Sequence, residues 1–112
     1  MIKSTAAAST RLLRESDDPL YARLRSLLTE RGIDCGQSVL ATFFPDDTDM
    51  EFGVLVTPDR RVYEFELHHG KGDLQAHVAT ATITDWRDRT DGWDGAPHRR
   101  DVEDALRLLE TR

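Results

Sequence analysis

The chain has 112 residues, 38% hydrophobic and 32% charged, with a formal net charge of −6. That length fits one domain (1–112) able to hide roughly two-thirds of its unfolded surface. The acidic balance argues against sequence-independent binding to nucleic acid, which needs several Lys or Arg at the phosphates.

The charge is uneven. Residues 1–31 carry six basic and four acidic side chains, whereas residues 32–112 carry nine and seventeen. The acidic part suits a basic partner surface. Arg outnumbers Lys thirteen to two, which reads as coding bias. The one cysteine, Cys35, allows no internal disulfide, so a reducing compartment fits best. The start, Met1 to Thr5, runs on into Ala and Ser rather than an apolar h-region. No apolar run approaches the ~20 residues that span a bilayer. The expectation is a cytoplasmic protein with no membrane contact.

In chain order, residues 1–4 are expected to be disordered, and the Ala-rich stretch 4–15 to form a short helix. Residues 18–31 predict a helix. Asp18 caps it, Pro19 takes the first helical position, and Leu20, Leu24, Leu27 and Leu28 make one apolar stripe. Gly32 ends it, with Ile33 packing back on Leu28. Residues 37–44 read as a strand that is apolar on both sides, so periodicity leaves its register open. The turn 45–49 follows.

The next three strands, 50–57, 61–69 and 74–82, share one register. Pairing Thr57 with Val62 across the turn 58–61 sets Val56 opposite Tyr63, Val54 opposite Phe65 and Phe52 opposite Leu67. Pairing His69 with Leu74 across the turn 70–73 extends the same face through Ala76, Val78 and Thr80. The alternation shifts after Thr80, which suggests a bulge near 79–82. Residues 85–96 read as a polar loop holding both tryptophans. Residues 98–110 predict a last helix with the stripe Val102, Ala105, Leu106 and Leu109, poorly capped at Arg99 and Arg100. The fold expected is α+β: a two-layer sandwich with a four-stranded antiparallel meander, the N-terminal and C-terminal helices on one face, in the order α-α-β-β-β-β-α.

That register exposes Glu51, Gly53, Leu55, Val62, Glu64, Glu66, His68, Gln75 and His77 on the other face. It sets Glu51 opposite His68 and Glu66 opposite His77, with Cβ atoms about 4.5–5.5 Å apart. Gly53 beside Glu66 leaves room for a small ligand. A carboxylate beside an imidazole makes a candidate acid or base, and two His with a Glu can hold zinc. The plainer reading is polar residues facing water on a half-exposed sheet. No metal or cofactor is expected.

The segment from Asp85 to Gly95 is the second candidate. Trp93, between two Asp-Gly pairs, can anchor an interface together with Trp86, Asp88, Asp91 and Asp94; alternatively both tryptophans plug the end of the core. Asp46, Asp47, Asp49 and Glu51 form a further acidic cluster, most simply a solvated turn. Cys35 as a nucleophile needs an activating base that the sequence does not offer, and His98 stands alone. Leu55 and Val62, with Ala79 and Ala81, are an apolar surplus on the open face, suited to a homodimer or a partner.

No Walker loop, dinucleotide turn, paired CxxC or nucleophile elbow occurs. The leading expectation is therefore a non-enzymatic protein-interaction domain. In general character it is similar to small acidic bacterial α/β proteins that neutralise toxins or escort secreted proteins. The alternative is a small hydrolase or metal-dependent enzyme using Glu51, Glu66, His68 and His77. Nucleic-acid binding through the arginines of the first two helices is the weakest reading.

Overall fold

The computed structural model describes residues 5–47, 49–68, 73–90 and 99–110. The class is α+β. The elements are α1 (Thr5–Glu15), α2 (Pro19–Glu30), β1 (Val39–Asp47), β2 (Met50–Val56), β3 (Arg61–His68), β4 (Asp73–Thr82), α3 (Ile83–Thr90) and α4 (Arg99–Glu110). The strands are antiparallel and lie in the order β1-β2-β3-β4.

Helix α2 begins and ends on local chemistry. The Asp18 carboxylate accepts from the Leu20 amide at 2.9 Å, and Pro19 fills the position whose N–H would go unused. At the other end Gly32 takes a positive φ of 78°. Its amide donates to Thr29 O and that of Ile33 to Leu28 O, both at 3.0 Å, the paired bonds of a Schellman motif. Leu24 and Leu28 on its inner face are fully buried.

The β2–β3 turn decides the register of the sheet. The Arg60 amide donates to Thr57 O at 2.8 Å, the Thr57 amide donates to Arg61 O at 3.0 Å, and Arg60 is left-handed at φ 59°. This is a three-residue loop, a turn closed by one left-handed residue, and it sets Thr57 opposite Arg61. Thr57 Oγ1 holds it from inside, accepting from the Arg61 amide and donating to the Asp59 carboxylate. The expected pairing of Thr57 with Val62 is thus wrong by one residue, and such a slip exchanges faces. Val56 lies opposite Val62, Leu55 opposite Tyr63, Gly53 opposite Phe65 and Phe52 opposite Glu66.

The consequence is a sheet apolar on both faces. One face carries Val39, Ala41, Val54, Val56 and Val62, packed with Ala6 of α1, Trp86 of α3 and Val102, Ala105 and Leu106 of α4. The other carries Leu40, Leu55, Tyr63 and Phe65, packed with Leu13 of α1 and Leu24 and Leu28 of α2. The two-layer sandwich with every helix on one face is therefore not what forms. Helices cover both faces, and α3 interrupts the expected order of elements. β1 is apolar on both sides for this reason: each side meets a helix layer. Val39 and Ala41 reach one cluster and Leu40 the other by simple alternation, and an irregularity between Leu40 and Thr42 then resets the phase so that Phe43 packs on the Leu40 side.

Helix α1 lies along the β1 edge and serves both layers. Between Ala6 and Leu13, Thr10 Oγ1 accepts from the Leu40 amide at 2.9 Å and reaches Leu40 O at 3.4 Å. Arg14 donates through Nη2 to Ser38 O at 2.8 Å and through Nε to Cys35 O at 3.3 Å. These side chains occupy backbone groups at a sheet margin, where an added strand would otherwise pair.

Helix α3 stands where a loop was expected. Thr82 Oγ1, at the end of β4, accepts from the Asp85 amide at 3.1 Å, so strand passes into helix through a side-chain cap. None of the described helices is long and apolar enough to cross a membrane.

Candidate functional site

The direct Glu–His oppositions depend on the abandoned register and are not made. Glu51 lies opposite Leu67 and His68 opposite Met50, so the first pair falls on opposite faces of the sheet. Burial raises the Tyr21 hydroxyl pKa, with the charges of Glu51 and then Asp18 adding to it. Glu51 thus acts on the α2 side. Glu66 lies opposite Phe52 on β2 and Gln75 on β4. His77 falls at a register shift, between Ala76 opposite Phe65 and Val78 opposite Glu64. No two of the four residues oppose each other. Among the described residues no group of three His, Cys, Asp or Glu is arranged to hold a metal ion.

The space expected at Gly53 is filled. A Cβ there would collide with Phe65 Cζ, because the ring lies over the glycine backbone. That ring is fully buried and extends an aromatic row, with centroids 6.0 Å from Phe43 and 5.8 Å from Tyr63. Phe43 in turn meets Tyr21 of α2 edge-on at 5.6 Å. Gly53 is a packing device for this row rather than the floor of a site.

Leu55 and Val62 are each 0% exposed and belong to different clusters, one on each face. The apolar patch expected from them on an open face does not form, because no described sheet face built from them is open. Cys35 packs against the α2-side cluster, its thiol donating to Arg25 O at 3.9 Å. Burial pushes its thiol pKa up against an opposing hydrogen bond from Thr29, which favours the unreactive neutral form.

Trp86 is a core residue. Only 1% of it is exposed, and it is the largest side chain of its cluster. Its expected place in a partner surface is corrected by that burial: the ring plugs the layer between sheet and α4. Trp93, Asp91, Asp94 and His98 lie outside the described residues, as do residues 69–72, which hold most of the expected turn 70–73.

With Trp86 pointing inward, α3 exposes Thr84, Asp85, Arg87 and Asp88. Asp85 and Asp88 are three residues apart, so they share one side of the helix. The opposite flank is tied down: Arg87 donates to both carboxylate oxygens of Glu103 on α4, at 2.9 and 2.8 Å. Hydrogen bonding to Arg87 lowers the Glu103 pKa against the smaller effect of burial. The ridge is thus held by a buried ring and a two-pronged ion pair. The sequence reading missed this helix; the signal was Thr82-Ile83-Thr84-Asp85, a hydroxyl followed three residues later by an acid.

Comparison of the chain with models of protein families, with curated proteins and with solved structures finds no match.

Proposed function

We propose that the protein is a non-enzymatic binding module that engages a basic protein surface through α3 and the residues after it. The observation that carries this is the exposed pair Asp85 and Asp88 on a helix pinned by Trp86 and by the Arg87–Glu103 bridge. A rigid acidic ridge loses little freedom on binding, and opposite potential speeds encounter. Asp91, Trp93 and Asp94 follow directly in sequence and supply more acid and an aromatic anchor. The net charge of −6 has the same sign as the ridge. A toxin-neutralising or escort role suits such a module at the level of class alone.

The alternative reading, a small hydrolase or metal-dependent enzyme, rested on Glu51 opposite His68 and Glu66 opposite His77, and the strand pairing sets other residues there. The test is affinity capture from the source cell with the intact protein, the double variant Asp85→Arg/Asp88→Arg, and Trp93→Ala. The expected result is one basic protein retained by the intact chain, eluted by salt, and lost from both variants at unchanged melting temperature. Equal retention by all three proteins defeats the proposal.

A further inference from the structure

A second surface, on the far side of the molecule's charge balance, has its own chemistry. Between the last two turns of α1, the end of α4 and the start of β1 lies a cleft of about 360 Å³. That is at the lower end of the range for small-molecule sites. Ala7, Val39 and Leu108 give it apolar walls, while Arg11, Arg14 and Glu15 bring charge to it.

The two arginines are placed differently. Arg14 is held by its bonds to the Ser38 and Cys35 carbonyls, so its charge is fixed beside the cleft. Arg11 donates through Nε to Glu15 Oε2 at 3.1 Å across one helical turn, with both side chains largely exposed. So exposed a pair contributes little and is readily exchanged. Its geometry nevertheless marks where a carboxylate rests against Arg11 within the cleft. The lining groups sum to one positive charge, in a chain whose total is negative.

We infer that this cleft binds a small amphipathic carboxylate, its charged head exchanging with Glu15 at Arg11 beside the fixed Arg14, and its short apolar tail lying on Val39 and Leu108. A guanidinium fork suits a planar carboxylate, because two parallel N–H groups meet two oxygens. The apolar walls add the transfer of each buried methylene, so a tail distinguishes the ligand from a bare anion. This reading rests on the cleft alone and is independent of the acidic ridge.

Octanoate is the probe, with octanol and inorganic phosphate as controls, and amide NMR shifts of the full chain as the readout. Octanoate is expected to saturate below about 10 mM and to bind at least about tenfold tighter than either control. Shifts should centre on α1, α4 and the first residues of β1. Arg11→Gln and Ala7→Phe, both at exposed helix positions, should each weaken octanoate by about tenfold with unchanged unfolding midpoints. The second variant fills the cleft and keeps every charge. The inference falls if octanoate causes no saturable shift, if octanol or phosphate binds as well, or if both variants bind like the parent.

Discussion

The two faces of the sheet solve the same burial problem with different side chains. One face is built from Val39, Ala41, Val54, Val56 and Val62, all short, and two helices plus Trp86 come down on it. The other is built from Leu40, Leu55, Tyr63 and Phe65, with Phe43 alongside, and α2 with the Leu13 end of α1 suffices to cover it. Short β-branched residues leave a shallow surface that needs many partners. Long ones fill the gap themselves and lock into a row. The difference predicts opposite weaknesses: the first face is vulnerable to a hole, the second to crowding.

Trp86→Ala tests the first weakness and carries the largest expected effect. It removes the biggest buried side chain from a face whose neighbours are too short to fill the space, so a loss of about 3–5 kcal/mol is expected in urea unfolding. Helix α3 should lose amide protection first, because Trp86 is its main inward contact. A loss under about 1 kcal/mol would mean that Trp86 is not part of the core.

Gly53→Ala tests the second weakness. The added methyl would collide with Phe65 Cζ, and that ring is closed in by Phe43 and Tyr63. Overpacking of this kind costs about 1–3 kcal/mol. Pairing it with Phe65→Leu should recover part of the loss, since the two residues touch and their effects do not add. In the pairing that sets Thr57 opposite Val62, Gly53 faces Glu66 and the same methyl would be harmless. A neutral Gly53→Ala would restore that register.

Between those faces, Thr10 guards the β1 margin. Thr10→Val keeps the shape but strands the Leu40 amide, which now bonds the hydroxyl at 2.9 Å in a buried position. A loss of about 1–3 kcal/mol is expected by denaturant unfolding. Association should also rise in light scattering, because the edge regains a free donor. Unchanged stability would show that α1 covers this edge by packing alone.

How much of this was legible in the sequence depended on whether the deciding chemistry was local. The ends of α2 were readable because Asp18, Pro19, Gly32 and Ile33 each act within a few residues. The inward stripe of α4 was readable from its 3.6-residue period, and the α+β class from the segregation of strands and helices. The register was not. Whether the turn after Thr57 takes three or four residues depends on Arg60 adopting a left-handed φ, which is uncommon for a residue with a Cβ. The off-stripe residues Leu55 and Val62 were the one sign of the other choice, and both are buried in it. The one-sided sheet was assumed, so Leu55 and Val62 looked like a surplus when they were the core of two layers. The Glu/His sites inherited that error whole. The cleft beside α1 draws on residues about 100 positions apart in the chain, and no local pattern announces it.

The ion pair that ties α3 to α4 should give the smallest effect, and its sign is fixed by pH. Glu103 is held below the usual carboxylate range chiefly by its hydrogen bonds to Arg87. A carboxyl whose folded pKa is depressed stabilises the fold above its unfolded pKa, about 4.3, and loses that contribution as pH falls through the folded value. Arg87 and Glu103 side chains are 44% and 32% exposed, so solvent screening keeps the pair below about 1 kcal/mol. Arg87→Ala should therefore cost less than about 1 kcal/mol at pH 7 and less still at pH 3, closing the gap to the parent as acid is added. That convergence separates a charge interaction from lost packing by the arginine stem, which would cost the same at both pH values. It also bears on the proposed binding ridge: if Arg87→Ala leaves stability alone yet weakens partner capture, the bridge serves to orient Asp85 and Asp88 rather than to hold the fold.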